Sequence, residues 1–388
     1  MDAQINKKSG SAGRACGVIV LAALFLLPRQ CCARESGDIR VLIVDGAASV
    51  TVSAAGPYRI AESGRGRTLH AGQNLNARFT VSQGAISFAG KNFPQRTISI
   101  IPDAGQHVEI NNRAYTGSVQ LMRTGPGRIS AVNCIGLEDY VKGVAVRETS
   151  HYWPMEALKA QVVAFRTFAV YKQQESGARD FDVTADVFSQ GYGGRAAERY
   201  RISDAADQTK GEVLFYAGKI LPAFFHSTCA GRTEDAAELW KLDIPPLKGV
   251  ACGFCKESPH FSWKAAVSKE KIREGLSKKY PGIPLAKEVA VRARNASGRA
   301  TMVMVTTEKG DFAVPAKDFR LLIGQDIIRS TLFTVSAREK EFFFEGTGWG
   351  HGAGLCQWGA YFMAKKGADY HKILSHYYPR SVLQKIRE

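Results

Sequence analysis

The chain has 388 residues, of which 45% are hydrophobic and 23% are charged, and its formal net charge at pH 7 is +16. This length and composition allow one large core or two moderate ones, which excludes an intrinsically disordered protein. The excess positive charge favours polyanionic partners, and solubility alone is the alternative explanation. Nucleic acid is not expected as a partner, because the sequence contains none of the motifs that identify a nucleic-acid-binding module.

Residues 1–33 have the pattern of a signal peptide. Two lysines and an arginine precede an apolar run, residues 17–27, that is too short to span a bilayer comfortably. Cleavage is expected after Ala33, and the alternatives are a lipoprotein anchor on Cys31 or an uncleaved membrane anchor. We therefore expect an exported protein of the periplasm or cell envelope. Its anionic partners would then be lipid head groups or cell-wall polymers.

Residues 34–124 predict a β-rich N-terminal region. Short alternating or β-branched runs, such as residues 40–44, 77–81 and 96–101, are separated by glycine, asparagine, proline and aspartate. In residues 125–388 the hydrophobic period changes repeatedly between that of helices and that of strands. The predicted fold class is therefore α+β, with the β-rich region first and a mixed α/β domain after it.

Two adjacent helices are predicted from Leu137 onwards. In the first helix, Glu148 follows Val144 by one turn and continues its apolar face. Burial on that face would raise the pKa of the carboxyl group, which suits a general acid that works near neutral pH. A helix-terminal glutamate in a salt bridge or in solvent is the alternative.

The second helix begins near Trp153 and carries Arg166 at the border of its apolar face. A guanidinium in such a position normally has a fixed partner. We expect Arg166 to pair with Glu148 or Glu156, or to bind hydroxyl groups of a substrate. Extension of the side chain into solvent is the alternative.

The rest of the chain predicts further pairs of elements. These are paired strands at residues 211–216 and 220–225, paired strands at residues 289–294 and 301–306, and closing helices at residues 356–366 and 370–377.

Four cysteines of the second domain are candidates for a structural cross-link, formed by disulfides or by a metal ion: Cys229, Cys252, Cys255 and Cys356. Cys252 and Cys255 have the spacing of a metal-binding knuckle, and His226 is a further candidate ligand. Outside the cytoplasm, disulfide bonds compete with zinc. The alternatives are therefore one or two disulfides, a structural zinc site, or free thiols.

Residues 346–354 place glycine at every second position, directly before a predicted helix. Such a backbone can adopt positive φ angles and lets a flat ligand approach closely. The spacing matches neither a Walker motif nor a dinucleotide-binding fingerprint, so nucleotide binding is not expected. Trp349 suits stacking on a sugar ring, whose hydroxyl groups His351 or Gln357 could bind. A tight structural turn with core aromatics is the alternative.

Four ordered motifs, taken together, resemble the signatures of the SpoIID/LytB family. They lie in residues 133–171, in residues 190–194 (Gln-Gly-Tyr-Gly-Gly), in residues 225–233 with Trp240, and in residues 348–360 with residues 376–379. The resemblance covers residues 125–388. The chain departs from the usual pattern at Phe165, at Thr149-Ser150 and at Ala230, and none of these changes removes a chemical group.

The resemblance implies a catalytic domain with a substrate cleft that acts on the glycan strands of peptidoglycan. The sporulation member of the family is similar in being a lytic transglycosylase of strands that lack stem peptides. Carried over to this chain, Glu148 is the general acid and base, and no cofactor is required. The candidate substrate-binding residues are Arg166, Tyr192, Trp349, His351 and Gln357.

The resemblance also implies an alternative function. The LytB branch of the family has been viewed as a non-catalytic, glycan-binding enhancer of an N-acetylmuramoyl-L-alanine amidase. A cell-wall amidase is therefore a candidate partner, and membrane anchoring is expected only if the leader is retained.

Overall fold

In the computed structural model, the described residues are 37–185, 190–195 and 199–386. The predicted signal peptide, residues 1–33, lies outside them, and so does Cys31. Helices and strands are interspersed along the chain, which confirms the predicted α+β class. Among the described residues, no helix is both long enough and apolar enough to cross a membrane.

An eleven-stranded sheet forms the N-terminal part of the fold and confirms the predicted β-rich region. Its strands are β1 (Asp38–Ala47), β2 (Ser49–Glu62), β3 (Thr68–Ser82), β4 (Ala85–Phe88), β5 (Lys91–Phe93), β6 (Thr97–Pro102), β7 (Val108–Ile110), β8 (Arg113–Tyr115), β9 (Ser118–Gly125), β10 (Arg128–Gly136) and β11 (Val183–Thr184). Nine strands run in the order β11-β1-β10-β9-β6-β2-β3-β4-β5, and β7 and β8 continue from β2. Alternate residues of one strand, such as Ile39 and Val41 of β1 or Val50 and Val52 of β2, are fully buried, as the two-residue period of a strand requires.

The sheet continues past the predicted boundary between residues 124 and 125. Strands β9 and β10 form an antiparallel pair across that boundary, and β11 pairs in parallel with β1. Ile39 of the sheet belongs to the same buried cluster as Tyr140 and Phe165 of the helices that follow. The N-terminal strands and these helices therefore share one hydrophobic core.

Two consecutive helices follow the sheet, as predicted. Helix α1 (Leu137–Glu148) begins where β10 ends, and α2 (Met155–Ser176) begins directly after Pro154. Three of the later helices, at residues 200–208, 357–365 and 370–377, pack against α2, and most of its side chains are buried. The later helices are α3 (Tyr200–Gln208), α4 (Ala236–Trp240), α5 (Lys269–Ser277), α6 (Ala316–Ile323), α7 (Gln357–Lys365) and α8 (Tyr370–Tyr377). The two predicted closing helices are thus confirmed.

The remaining strands form four small sheets: β12 (Glu212–Tyr216), β13 (Lys219–Ile220), β14 (Phe225–His226), β15 (Ser262–Ser268), β16 (Ala286–Arg294), β17 (Ala300–Thr307), β18 (Gly310–Pro315), β19 (Phe333–Ala337), β20 (Glu341–Thr347), β21 (Leu355–Cys356) and β22 (Val382–Lys385). The pairing of β16 with β17 confirms the prediction for that segment. The predicted strand at residues 220–225 is wrong in extent, because its pairing with β12 ends at Ile220. Pro222, two residues after Ile220, has no amide hydrogen to donate to a ladder.

Candidate active site

A cavity of about 580 Å³ lies between the end of α1, the glycine-rich turn at residues 346–354 and the segment that carries α6. This volume is typical of ligand-binding sites, which span about 300–1,000 Å³. The walls combine aromatic rings with polar groups, and the lining includes Arg147, Glu148, Trp153, Gly191, Ser227, His260, Arg320, Gln325, Trp349, His351, Gln357 and Trp358. The structure therefore places Glu148 and the glycine-rich turn, which are about 200 residues apart in the sequence, in one cleft.

Glu148 is the last residue of α1, and in the part of the chain that the structure describes it is the one carboxylate that lines this cavity. The backbone amide of Gly191 donates a hydrogen bond to Glu148 Oε1, with an N–O distance of 2.9 Å. A Cβ atom on Gly191 would lie 2.6 Å from the same oxygen, so a larger residue at this position would displace the Glu148 carboxyl group. Burial raises the pKa of the Glu148 carboxyl, and the Gly191 hydrogen bond and the charge of Arg147 oppose that rise. Glu148 therefore keeps its proton to a higher pH than a glutamate in solution does, as a general acid needs to do.

Gln357 lines the cavity and also braces the end of α1. Its Nε2 donates to the backbone oxygen of Glu148 at 3.4 Å and to Oε1 of Gln161 at 3.2 Å. The last carbonyl groups of a helix have no partner within the helix, so such a contact fixes the helix end. The side chain predicted to bind substrate thus also positions the residue that carries the carboxyl group.

The glycine-rich turn brings Trp349 and His351 to the cavity wall. Four of its glycines have positive φ angles, and a Cβ atom on Gly354 would overlap the backbone oxygen of Phe224. The glycines therefore permit a tight turn that packs closely against a neighbouring segment. Burial lowers the pKa of His351 to about 3, so its ring is neutral near pH 7.

Trp349 is held from two sides. The His260 ring meets it edge-on with 4.7 Å between the ring centroids, and the Arg329 guanidinium lies 4.6 Å from the centroid of a Trp349 ring. Trp153 and Trp358 add a second aromatic pair to the cavity, with centroids 5.0 Å apart. Fixed aromatic side chains of this kind are suited to contact with the apolar faces of sugar rings.

Arg166 does not line the cavity, and the prediction that it binds substrate or pairs with Glu148 or Glu156 is wrong. Its side chain is fully buried, and its Nε and Nη2 donate to the two carboxylate oxygens of Glu138 at 2.8 and 2.7 Å. Its Nη1 donates to the backbone oxygen of Glu212 at 3.2 Å. The planar guanidinium therefore forms two parallel hydrogen bonds with one carboxylate inside the core. The fork of donors on an arginine side chain favours this geometry.

Tyr192 is also a core residue, in contrast to the prediction that it binds substrate. It is 2% exposed, its hydroxyl donates to Asn133 Oδ1 at 2.7 Å, and its ring packs against that of Tyr140 at a centroid distance of 5.2 Å. The neighbouring residues Gln190 and Gly191 line the cavity instead. Residues 190–194 therefore give the site backbone and amide groups, while their aromatic ring anchors the segment in the core.

The four candidate cysteines converge at one buried point. The Sγ atoms of Cys229, Cys252, Cys255 and Cys356 all lie within 4.8 Å of one another. All four side chains are fully buried, and none of them is in a disulfide. His226, the further candidate ligand, is not part of this group, and its Nδ1 lies 3.1 Å from the backbone oxygen of Ala353. Four converging sulfur atoms are a donor set that can hold a soft metal ion such as zinc.

Several cavity residues were not predicted from the sequence. They include Trp153, Ser227, His260, Arg320 and Gln325. Trp153 and Ser227 lie inside recognised motifs, where Trp153 marked the start of a helix and Ser227 had no predicted role. His260, Arg320 and Gln325 lie in a segment without any recognised motif, where a single polar residue carries no signal of its position in the fold.

Comparisons with known proteins identify a family model and several relatives that the chain resembles. A family model described as stage II sporulation protein (SpoIID) matches residues 126–216, and a domain of unknown function (DUF8618) matches residues 250–354. The chain is 30% identical to an uncharacterised protein of Brachyspira hyodysenteriae, over 88% of this chain and 91% of that protein. It is 30% identical to the amidase enhancer of Bacillus subtilis, over 63% of this chain and 40% of that protein. It is also 26% identical to stage II sporulation protein D of Bacillus subtilis, over 73% of this chain and 89% of that protein.

Proposed function

The chain belongs to the SpoIID/LytB family, and from this premise we propose that it cleaves the glycan strands of peptidoglycan by lytic transglycosylation. Glu148 is the general acid and then the general base. The substrate lies outside the cytoplasmic membrane, so the proposal requires export to the periplasm or cell envelope, as the pattern of residues 1–33 predicts.

The observation that carries the proposal is the single carboxylate in the cavity. Glycosidases that use water generally need two carboxylic residues, one as the acid and one as the base or nucleophile. Among the described residues that line the cavity, Glu148 is the one acid. A reaction in which the substrate supplies its own nucleophile needs no second carboxylate, and lytic transglycosylation is such a reaction.

The reaction proceeds in two proton transfers. The protonated Glu148 gives its proton to the glycosidic oxygen while the bond from that oxygen to C1 of the muramoyl residue breaks. The resulting carboxylate then takes the proton of the C6 hydroxyl of the same muramoyl residue, and O6 bonds to C1. The products are a 1,6-anhydromuramoyl end and a strand that begins with a free hydroxyl, and no water is consumed. The amide of Gly191 stabilises the carboxylate between the two steps, since its hydrogen bond favours the ionised form.

The rival function is that of a glycan-binding enhancer of a cell-wall amidase. It is favoured by the similarity to the amidase enhancer, although that match covers 40% of the enhancer. The same cavity would then hold a glycan strand without cutting it, and an N-acetylmuramoyl-L-alanine amidase would be the partner. The raised pKa of Glu148 favours catalysis, because binding alone gives no role to a carboxyl group whose protonated form is favoured by burial.

Mass spectrometry of digested glycan strands tests the proposal. Purified protein is incubated with strands from which an amidase has removed the stem peptides, and with strands that retain them. We expect 1,6-anhydromuramoyl ends from the peptide-free strands. New reducing ends without the anhydro ring would indicate a hydrolase. An absence of products, combined with faster peptide release by an added amidase, would establish the enhancer.

The pH dependence of cleavage should respond to Arg147. This exposed cavity residue lowers the pKa of Glu148 through its charge, so Arg147→Gln should raise that pKa further. Because the acid works only while protonated, activity falls as pH rises through this pKa, and the alkaline limb of kcat should move to higher pH. Arg179→Gln, which removes an exposed arginine outside the cavity, is the matched control. A limb that stays in place or moves to lower pH contradicts the assignment of Glu148 as the acid.

A further inference from the structure

The four buried cysteines form a cluster that the proposed reaction does not use. Cys229 follows β14, Cys252 lies in the loop before a 3₁₀ turn, Cys255 begins that turn (Cys255–Glu257), and Cys356 ends β21. We propose that this cluster binds one structural zinc ion through four thiolates.

The sulfur positions fit a tetrahedral metal site better than two disulfides. With Zn–S bonds of about 2.3 Å, tetrahedral geometry separates the sulfur atoms by about 3.8 Å. All four Sγ atoms lie within 4.8 Å of one another, and those of Cys229 and Cys255 are 3.5 Å apart. A disulfide instead brings two sulfur atoms to about 2.05 Å and leaves the two pairs independent of each other. The four sulfur atoms instead form a single group, as a tetrahedral metal site requires.

The surroundings of the cluster suit a negative charge. Zinc with four thiolates carries a net charge of −2. The backbone amides of Cys229 and Gly359 each donate to Cys356 Sγ at 3.3 Å, as donors around thiolate ligands commonly do. Arg299 is 2% exposed and donates to the backbone oxygen of Cys229 at 2.8 Å. Among the described residues Arg299 forms no ion pair, and Glu234 is a buried acid whose charge acts on it. An anionic cluster beside Arg299 therefore adds to the counter-charge that a buried guanidinium needs.

Such a zinc ion would hold the wall of the active site together. Cys356 immediately precedes Gln357, which braces the backbone of Glu148, and Cys229 lies two residues after Ser227 of the cavity. The metal would therefore fix α7 to the loop after β14 without touching the substrate. Its role is structural, and the chemistry of the reaction does not pass through it.

Elemental analysis of the purified full chain tests the proposal. We expect one zinc ion per chain, and close to none in Cys252→Ser or Cys356→Ser. Cys134→Ser is the matched control and should keep the full zinc content, since Cys134 lies outside the group of four. Should the serine variants fail to fold, exchange of zinc for cobalt in the unaltered protein provides a second measurement. Bound cobalt should then show the strong thiolate-to-cobalt absorption of a four-sulfur site.

Two results would overturn the zinc site. The first is a metal-free protein whose four cysteines resist alkylation after denaturation and appear as disulfide-linked peptides in mass spectrometry. The second is bound cobalt without thiolate absorption, which would place the metal elsewhere.

A second, independent inference concerns Arg320 and rests on the proposed function. Arg320 lies in α6 and lines the same cavity as Glu148, although it is only 8% exposed. Its Nε donates to the backbone oxygen of Arg329 at 3.1 Å, while its two Nη atoms make no hydrogen bond to any described residue. Within the described ranges no carboxylate forms an ion pair with it, and Asp326 is the acid whose charge acts on it. A buried cation that faces a cavity in this way lacks an anionic partner.

We propose that Arg320 binds the lactyl carboxylate of a muramic acid residue. On a glycan strand of N-acetylated sugars, this carboxylate is free only where the stem peptide has been removed, because the peptide is joined to it as an amide. Arg320 would thus recognise a strand by the group that peptide removal exposes. The guanidinium fork matches a carboxylate in two-point geometry, and exclusion of water strengthens the pair.

Binding measurements with the Glu148→Gln chain, which should not cleave, test this inference. The probes are a soluble, peptide-free oligosaccharide of the strand and the same oligosaccharide with its lactyl carboxylates converted to N-methylamides. We expect the acid form to bind about 10- to 100-fold more tightly than the amide form, which is the usual worth of hydrogen bonds to a charged group. Adding Arg320→Met should remove this preference and leave binding of the amide form unchanged, which also shows that the variant is folded. Arg147→Met, which removes the other arginine of the cavity, should preserve most of the preference.

The possible failures are distinguishable. Equal binding of the acid and amide forms by the parent chain overturns the carboxylate site and leaves glycan binding intact. If Arg147→Met loses the preference and Arg320→Met keeps it, the carboxylate binds Arg147, and the proposed site at Arg320 is overturned. Binding of neither form contradicts the proposed function itself and the carboxylate site with it.

Discussion

Replacing Glu148 with glutamine is expected to lower kcat for cleavage of peptide-free glycan strands by about two to four orders of magnitude, the usual contribution of a general acid or base. Glutamine has the same shape and can still accept the hydrogen bond from the Gly191 amide, but it can neither donate an acidic proton nor recover one. KM should change little, because the cavity wall is otherwise intact. Initial rates of anhydromuramoyl formation across a range of strand concentrations measure both constants.

Glu156→Gln is the matched control for this result. Glu156 lies near the start of the next helix, outside the cavity, where it pairs with Lys159 and accepts from the backbone amide of Tyr370. Its replacement should leave kcat within about twofold of the unaltered protein, as for a surface residue remote from the reaction. Retained activity in Glu148→Gln, or an equal loss in Glu156→Gln, would remove Glu148 from the mechanism.

The same Glu148→Gln substitution should also change stability in a direction fixed by the pKa. Burial raises the pKa of Glu148 in the folded state, so ionisation of this residue destabilises the fold as pH rises through the raised pKa. Below about pH 4, the pKa region of an unfolded glutamate, the carboxyl is protonated in both states and the two proteins should have the same Tm. Above the raised pKa, only the unaltered protein carries the buried charge, and Glu148→Gln should then have the higher Tm. Thermal unfolding recorded from about pH 3 to about pH 9 tests this ordering.

Replacing Arg166 with methionine is expected to lower the free energy of unfolding by about 3–5 kcal/mol, because it removes one partner of a buried ion pair. The carboxylate of Glu138, 19% exposed as a side chain, would lose both of its hydrogen bonds to the guanidinium. The backbone oxygens of Ala206 and Glu212 would each lose a donor as well. Chemical denaturation measures the effect. The protein that remains folded should bind glycan with unchanged KM, because Arg166 does not line the cavity.

The exposed ion pair of Arg65 with Glu62 supplies the control for this prediction. The Arg65 side chain is 79% exposed, so Arg65→Met should cost about 1 kcal/mol or less. Adding Glu138→Leu to Arg166→Met should restore part of the lost stability, since the isolated carboxylate is then gone. A stable Arg166→Met protein with a strongly raised KM would instead support the substrate-binding role that the family resemblance implied.

The sequence by itself determined the elements whose signal is local. The helical period from Leu137 predicted α1 and placed Glu148 on its buried side, because residues one turn apart lie on the same helix face. The glycine at every second position from residue 346 predicted a turn with positive φ angles, which the backbone of that segment has. Ordered motifs predicted the family, since they combine many such local requirements.

Only the tertiary structure decided which distant groups meet. Arg166 pairs with Glu138 and Tyr192 lies in the core, although both residues belong to motifs that the resemblance associates with the substrate cleft. The Sγ atoms of Cys229 and Cys356 lie within 4.8 Å of each other, although the two residues are 127 positions apart in the chain. Arg320 reaches the cavity from a segment without a recognised motif. The periodicity of a sequence reports which side of an element is buried, but the partner found there depends on how helices and sheets pack, and that packing is set by the whole core at once.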